Sequence, residues 1–345
     1  MPASNIKPMR NKKLIWTVST IVLLVLLFGV ILLSLSIGEI SIPISEFWQT
    51  LQDKNSMGYS VLAYIRIPRT LLGFAIGGGL SLAGTILQGI YRNPLVEPYT
   101  LGISGGASLG VTFAIITGMQ ALGFLVLPLA GFAGAFATIF LVYTLSIRQG
   151  AIQVNRMLLI GVMISFISSS LMMFMMSVTK VENIHNIVFW TMGSLNESNH
   201  TMILVMVAVS ILCLLLSYLF VTPLNALRLG EDKARHLGIN TGTTIRILFI
   251  ITSLLTGACI AVGGIIGFVG LVIPHIVRYI VGSDYRILLL SSFMSGGIFL
   301  IACDILSRVV VQPNELPIGV ITGIIGGIVF IFLLSSQTKR SKFHA

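Results

Sequence analysis

The sequence predicts an all-α membrane protein whose chain crosses the bilayer about ten times. Of its 345 residues, 55% are hydrophobic and only 9% are charged, and the mean hydropathy is +0.99. No soluble domain of this length has such a composition. The net charge of +10 is distributed between apolar runs, so it indicates topology rather than a surface that binds nucleic acid.

Ten apolar runs carry this prediction, because a helix needs about 20 apolar residues to cross a bilayer. The first run is longer than a signal-peptide core and lacks a small-residue cleavage site, so we expect it to be retained. Two runs are short and rich in glycine, which lowers helix propensity. The predicted spans are Leu14–Ile37, Ile67–Tyr91, Thr100–Thr117, Leu122–Ile147, Met157–Val178, Met202–Val221, Ile245–Val262, Ile265–Ile280, Ile287–Val310 and Ile318–Leu334.

An even number of spans places both ends of the chain on the same side of the membrane. The chain is then one membrane domain at 14–335, with a cytoplasmic loop at about 223–244 between cytoplasmic tails at 1–13 and 336–345. With the tails inside, few basic residues are left outside, as the positive-inside rule expects. Those residues are Lys54, Arg66, Arg69, Lys180 and Arg308.

Three of these arginines stand at the predicted outer ends of spans. Arg66 and Arg69 flank Pro68, which is placed at a helix start. Asp304 and Arg308 are four residues apart, so they share a helix face and are predicted to form an ion pair. The arginines either extend their charged groups to the membrane surface or bind an acidic partner outside. For Arg308, a structural ion pair and a docking role are equally open.

Small and polar residues mark the second span. Gly77 and Gly84 lie at a helical spacing that lets backbones approach closely, for packing or to line a pathway. Gln88 and Asn93 lie at its predicted inner end, where we expect hydrogen-bonded structure rather than ligand binding.

The eighth predicted span is the most informative stretch. Gly267 and Gly270 precede Pro274, so we expect close packing inside protein and an interruption of the hydrogen-bond ladder at Pro274, before His275 and Arg278. This span and the third are the two short, glycine-interrupted ones, and such segments in corresponding places point to a transport site.

The loop between the sixth and seventh spans predicts a short helix. Glu231 and Asp232 lie in its first turn and basic residues lie in its last, which suits the helix dipole, while Gly238 can end it in the left-handed conformation. About two turns are not stable alone in water. We therefore expect the helix to dock against a partner, the alternative being a helix at the lipid headgroups.

Six segments in order carry a family resemblance. They are RIPRT at Arg66, GGGLSLAGTILQGIYRNPLVEPYTLGISGGA from Gly77 to Ala107, LGEDKARHLGI at Leu229, GFVGLVIPHIVR at Gly267, GSDYR at Gly282 and ELPIG at Glu315. The ordered set resembles the FecCD-type permeases, which are membrane subunits of ATP-driven importers for ferric siderophores, haem and cobalamin.

The resemblance implies ten helices per subunit in a bacterial cytoplasmic membrane, and a dimer with an identical or paralogous permease around a central pathway. It implies two cytoplasmic ATPase subunits, which use ATP and magnesium, and an extracytoplasmic binding protein, while this chain is no enzyme and holds no cofactor or metal. It assigns binding-protein docking to Arg66, Arg69 and Arg308, and ATPase coupling to Leu229, Gly230, Glu231, Asp232, Ala234, Arg235, Leu237 and Gly238.

We therefore predict the permease subunit of a metal-chelate importer. A ferric siderophore is the expected cargo because such importers are the commonest in the family, with haem or cobalamin as alternatives. An ion-coupled carrier is the alternative from another class, but no predicted span holds a central Asp, Glu, Lys or Arg. An intramembrane enzyme would need paired catalytic residues in the spans, and none are seen.

Overall fold

The computed structural model describes residues 9–38, 40–148, 151–197, 199–311 and 314–341, so the predicted tails at 1–13 and 336–345 lie partly outside it. Within these ranges the chain is almost entirely helical. The α-helices are α1 (Met9–Ser36), α2 (Phe47–Gln52), α3 (Met57–Val61), α4 (Ile67–Tyr91), α5 (Ile103–Ile116), α6 (Val126–Ser146), α7 (Val154–Ser177), α8 (Val181–Thr191), α9 (His200–Tyr218), α10 (Val221–Leu227), α11 (Glu231–His236), α12 (Thr241–Gly263), α13 (Val269–Val281), α14 (Tyr285–Val309) and α15 (Ile318–Ser341).

Short elements fill part of the connections. A π-helical turn at Leu62–Arg66 joins α3 to α4 without a break. Two strands of two residues each, β1 (Ile147–Arg148) and β2 (Ala151–Ile152), pair antiparallel between α6 and α7. Turns of 3-10 helix lie at Ile44–Glu46, Pro98–Leu101 and Met119–Leu122.

The ten predicted spans all correspond to apolar helices. In the described part of the chain, seven helices are long and apolar enough to cross a membrane: α1, the continuous α3–α4 helix, α6, α7, α9, α12 and α14. Three shorter apolar helices, α5, α13 and the first part of α15, occupy the other predicted places. The prediction of an all-α polytopic fold is confirmed.

Helix α13 continues past the predicted interruption at Pro274. It runs from Val269 to Val281 with Pro274 inside it, so the proline removes one hydrogen bond without ending the helix. Just before α13, residues 264–268 are non-helical. At about 1.5 Å per residue α13 is about 20 Å long, which is shorter than the hydrocarbon core of about 30 Å. A non-helical segment therefore completes this passage of the chain.

Helix α4 lies at the centre of the molecule, packed against α9, α12, α13 and α14. Two of its glycines make this approach possible. A Cβ atom at Gly77 would overlap the carbonyl oxygen of Gly296 in α14, and a Cβ atom at Gly84 would overlap that of Gly270 in α13. Backbones in lipid meet at such short range only where side chains are absent.

Candidate functional site

Charged residues gather at both ends of the helical bundle. The end that the charge bias predicts to be outside carries a cluster of Arg66, Arg69, Asp304, Arg308 and Glu315, which we call the outer charge cluster. The opposite end, which we call the inner end, carries α11. Between them, two segments without α-helix meet.

Arg69 lies at the centre of the outer charge cluster. Its Nη2 atom is 2.8 Å from Asp304 Oδ1, and its Nη1 atom is 2.7 Å from Glu315 Oε2. Asp304 also lies 3.1 Å from Arg308 Nη2, so the predicted i, i+4 ion pair is present. Arg69, Asp304 and Arg308 are buried. These charge pairs join α4, α14 and the segment before α15 in a region largely removed from water.

Arg66 and Arg308 hold the end of α1. The last carbonyl groups of a helix have no partner within it. Arg66 Nη1 donates to the carbonyl oxygens of Leu35 and Ser36, at 2.5 and 3.0 Å. Arg308 donates to the carbonyl and hydroxyl oxygens of Ser34, at 3.3 and 3.0 Å. The guanidinium of Arg308 therefore faces α1, and the docking role of the three arginines stays a prediction.

The two non-helical segments precede the two short helices that the sequence singles out. Residues 92–102 join α4 to α5 and contain one 3-10 turn but no α-helix, and residues 264–268 join α12 to α13. Tyr99 and Ile266 connect them, because the backbone N–H of Ile266 donates to Tyr99 Oη at 3.1 Å. Irregular backbone among membrane helices is tolerated where protein buries it or where it lines a cavity, and it marks transport sites in carriers. We call these segments the non-helical pair.

Further contacts in the non-helical pair involve residues that the sequence analysis missed. The carboxylate of Glu97 lies near the backbone N–H of Phe268 and interacts with it electrostatically. Phe268 has φ of +68°, which is an uncommon conformation for a bulky residue and clusters at functional sites. The ring of Pro98 lies against Gly270. The sequence signal here is the pair of prolines in NPLVEP, which disfavours an α-helix but does not identify the residues that the loop contacts.

Gln88 supplies the hydrogen bond that Pro274 removes. A proline has no N–H, so the carbonyl of Gly270, four residues earlier, loses its helical donor. Gln88 Nε2 lies 3.3 Å from that oxygen and 3.2 Å from the next carbonyl oxygen along α13. Asn93 Oδ1 accepts from the backbone N–H of Leu95 at 2.9 Å, which forms a turn after α4. Both side chains are hydrogen-bonded parts of the structure.

Gly267 and Gly270 differ, although the sequence assigns them the same role. A Cβ atom at Gly270 would lie 2.7 Å from Pro98 Cδ and 2.9 Å from the carbonyl oxygen of Leu80. Among the described residues of this chain, no atom outside its own neighbourhood lies within 4 Å of that position at Gly267. Close packing within the chain is therefore seen at Gly270, where backbones and a proline ring leave no room, whereas the role of Gly267 stays a prediction.

Helix α11 has the form that the sequence predicts. It covers Glu231–His236, and Gly238 follows it at φ of +82°. Arg235 Nη2 lies 3.6 Å from Glu231 Oε2, one helical turn away, and Arg235 Nε donates to Thr241 Oγ1 at 3.0 Å. The ion pair joins an exposed arginine to a partly exposed glutamate, and such a pair near the surface stabilises a fold only weakly.

The surface of α11 is mostly free of contact with the rest of the described chain. Ala234 is fully buried and attaches the helix to the bundle, whereas Leu229 and Leu237 are 58% and 63% exposed. The remaining predicted coupling residues, which are exposed or partly exposed, are Gly230, Glu231, Asp232, Arg235 and Gly238. The helix thus presents two leucines and several charges at the inner end.

Known proteins with similar sequences are transport subunits. The model of the FecCD transport family matches residues 23–336. The chain is 34% identical over 321 residues to the hemin transport system permease protein HmuU of Yersinia pestis, covering 92% of this chain and 95% of that protein. It is 36% identical over 319 residues to the vitamin B12 import system permease protein BtuC of Klebsiella pneumoniae, covering 92% and 93%.

Two further comparisons agree with these. The chain is 36% identical over 311 residues to the Fe(3+) dicitrate transport system permease protein FecD of Escherichia coli, covering 89% of this chain and 95% of that one. A solved structure described as an inward-facing conformation of a metal-chelate type ABC transporter matches with a TM-score of 0.82 and 30% identity, covering 91% and 97%. The family match includes the outer charge cluster, the non-helical pair and α11.

Proposed function

This chain belongs to the FecCD transport family and is the permease subunit of an ABC importer, and on that premise we propose that it carries a ferric siderophore. It is not an enzyme, since ATP is hydrolysed by a separate subunit in these systems. Relatives of comparable identity are named for hemin, vitamin B12 and ferric dicitrate. Haem and cobalamin are therefore the alternative cargoes.

Helix α11 is the observation that carries the proposed mechanism. Its two exposed leucines flank a charged turn, and the contacts that fix it to the bundle include the buried Ala234 and the hydrogen bond from Arg235 to Thr241. A two-turn helix with so little support fits a groove on a soluble ATPase, where its ordering is completed by the partner. Motion of the ATPase would then reach the bundle through α10, α12 and the buried methyl group of Ala234.

We propose the following assembly around this chain. A second permease, identical or paralogous, encloses the central pathway with it in a bacterial cytoplasmic membrane, and both ends of each chain are cytoplasmic. Two ATPase subunits bind at the inner end and use ATP and magnesium, and a binding protein delivers the cargo outside. This chain itself needs no cofactor or metal.

Docking of the binding protein at Arg66, Arg69 and Arg308 is a separate proposal. All three guanidinium groups bind atoms of their own chain, so docking would require some of these contacts to open. Charge contacts at a wet rim act mainly on association rate and weaken with salt. Charge reversal at Arg66 should be measured both for the rate at low salt and for thermal stability. A slower rate at unchanged stability supports docking, and a parallel fall in both indicates a structural role.

The cargo is tested by transport. The tagged chain is purified with the ATPase that accompanies it, placed in vesicles, and supplied with the binding protein made by the same cells. We expect ATP-dependent uptake of radioactive iron presented as ferric hydroxamate or catecholate siderophores, with little competition from haem or cobalamin. Uptake of haem or cobalamin instead would overturn the cargo while leaving the permease class intact.

A further inference from the structure

A basic groove lies at the inner end, where the beginning of α1 meets the turn between α13 and α14. Its volume is about 780 Å³. Four cationic side chains line it, and they come from three separate parts of the chain: Lys12 and Lys13 from α1, Arg228 after α10, and Arg286 from α14. We call this cavity the inner groove.

Among the described residues, one carboxylate lines the inner groove, and it is already engaged. Asp284 Oδ1 accepts from Asn225 Nδ2 at 3.0 Å and from the backbone N–H of Arg286 at 3.0 Å. It thereby caps the beginning of α14 and ties α10 to it. The excess of positive charge in the inner groove therefore faces whatever occupies it.

The inner groove also changes from polar to apolar along its length. The apolar run of α1 begins directly after Lys13. Ile15 and Ile280 line the groove and are 47% and 60% exposed. Trp16 and Tyr279 line it too, and such aromatic side chains gather at the level of lipid headgroups. The lining thus places cations at the headgroup level and alkyl side chains beside the acyl chains.

We propose that the inner groove binds the phosphate group of an anionic phospholipid of the inner leaflet, with phosphatidylglycerol as the simplest case. The lysines and arginines attract the phosphodiester, and the isoleucines contact its acyl chains. The lipid would hold the start of α1, a helix with little burial in the bundle, against the α13–α14 turn. This proposal depends on neither the cargo nor the ATPase.

Lipid titration tests the proposal. The full-length permease in uncharged detergent is titrated with phosphatidylglycerol, with phosphatidylcholine and with glycerol 3-phosphate, and bound lipid is counted by native mass spectrometry. The variant is Lys12→Gln/Arg286→Gln. The matched control, Arg156→Gln/Arg246→Gln, removes two exposed charges from the same end outside the inner groove. Thermal unfolding without added lipid verifies that both variants are folded.

We expect one phosphatidylglycerol to bind, and to bind about 25-fold more weakly to the variant, at about fivefold for each charge removed, while the control changes little. If lipid affinity fell equally in the variant and the control, the lipid would be attracted by the overall positive charge of this end and not by the inner groove, which would overturn the proposal. Equal binding of phosphatidylcholine would show that the anionic charge is not recognised. Displacement of the lipid by glycerol 3-phosphate at comparable concentration would assign the groove to a soluble phosphate instead.

Discussion

Arginines stand at both ends of this permease, but their surroundings differ. Arg69 in the outer charge cluster is buried between two carboxylates, whereas the side chain of Arg235 in α11 is 60% exposed and lies 3.6 Å from its acidic partner. Removing one partner of a buried ion pair strongly destabilises the fold, whereas an exposed ion pair contributes little to stability. Burial therefore decides which arginines hold the fold together and which are available to a partner protein.

The largest effect should follow the loss of Asp304. Its carboxylate faces both Arg69 and Arg308, so Asp304→Ala leaves two buried cations with reduced compensation. We expect the free energy of unfolding in detergent to fall by about 3–5 kcal/mol. Glu315 provides the matched control because it pairs with the same Arg69 but is 48% exposed. Glu315→Ala should cost about 1 kcal/mol or less, and equal losses would contradict a structural role for burial here.

Close packing between the two ends should give the next largest effect. Gly270→Ala places a methyl group against Pro98 and the Leu80 carbonyl, and we expect it to cost about 1–3 kcal/mol and to slow uptake. Gly267→Ala adds the same group where no other part of the described chain lies within 4 Å, so its stability should change by less than about 0.5 kcal/mol. Thermal unfolding and uptake of both variants measure the difference. A larger loss of stability in Gly267→Ala than in Gly270→Ala would contradict the packing of α13 described above.

The hydrogen bond from Gln88 to α13 can be isolated with a double-mutant cycle. Gln88→Leu leaves the Gly270 carbonyl without a donor, and we expect a loss of about 1–3 kcal/mol. Pro274→Ala restores an N–H that can bond the same carbonyl, so Gln88→Leu should be milder in that background. The coupling energy from four unfolding measurements gives the test. Additive losses would mean that Gln88 does not compensate for Pro274.

The helices were predictable from sequence because crossing a lipid bilayer requires long apolar runs, and each predicted span corresponds to a helix. Helix α11 was also predictable, since its charges and glycines act within a few residues. The missing hydrogen bond at Pro274 was predictable too, but the group that satisfies the freed carbonyl lies 182 residues away in α4. No local pattern reveals such a partner.

At the outer end too, contacts within one helix were predictable from sequence and contacts between distant segments were not. Residue spacing predicted the Asp304–Arg308 pair, which lies within one helix. The contacts of Arg66 and Arg308 with the end of α1 join residues about 30 and 274 positions apart, and charge at an outer helix end equally suits docking. Glu97 and Tyr99 fall between the second and third predicted spans, and their partners in residues 264–268 are defined only by the fold.

The central claim is that α11 transmits the action of the ATPase while contributing little to the fold, and Arg235→Glu tests it most directly. The change places two acidic side chains one turn apart and removes the hydrogen bond from Arg235 to Thr241, so stability should fall by about 1–2 kcal/mol and the variant should still fold. We expect the purified variant to lose most of its associated ATPase and its ATP-driven uptake. Arg246→Glu, which reverses an exposed charge in α12 at the same end, should retain both. Normal ATPase association and uptake in folded Arg235→Glu would contradict the coupling role of α11.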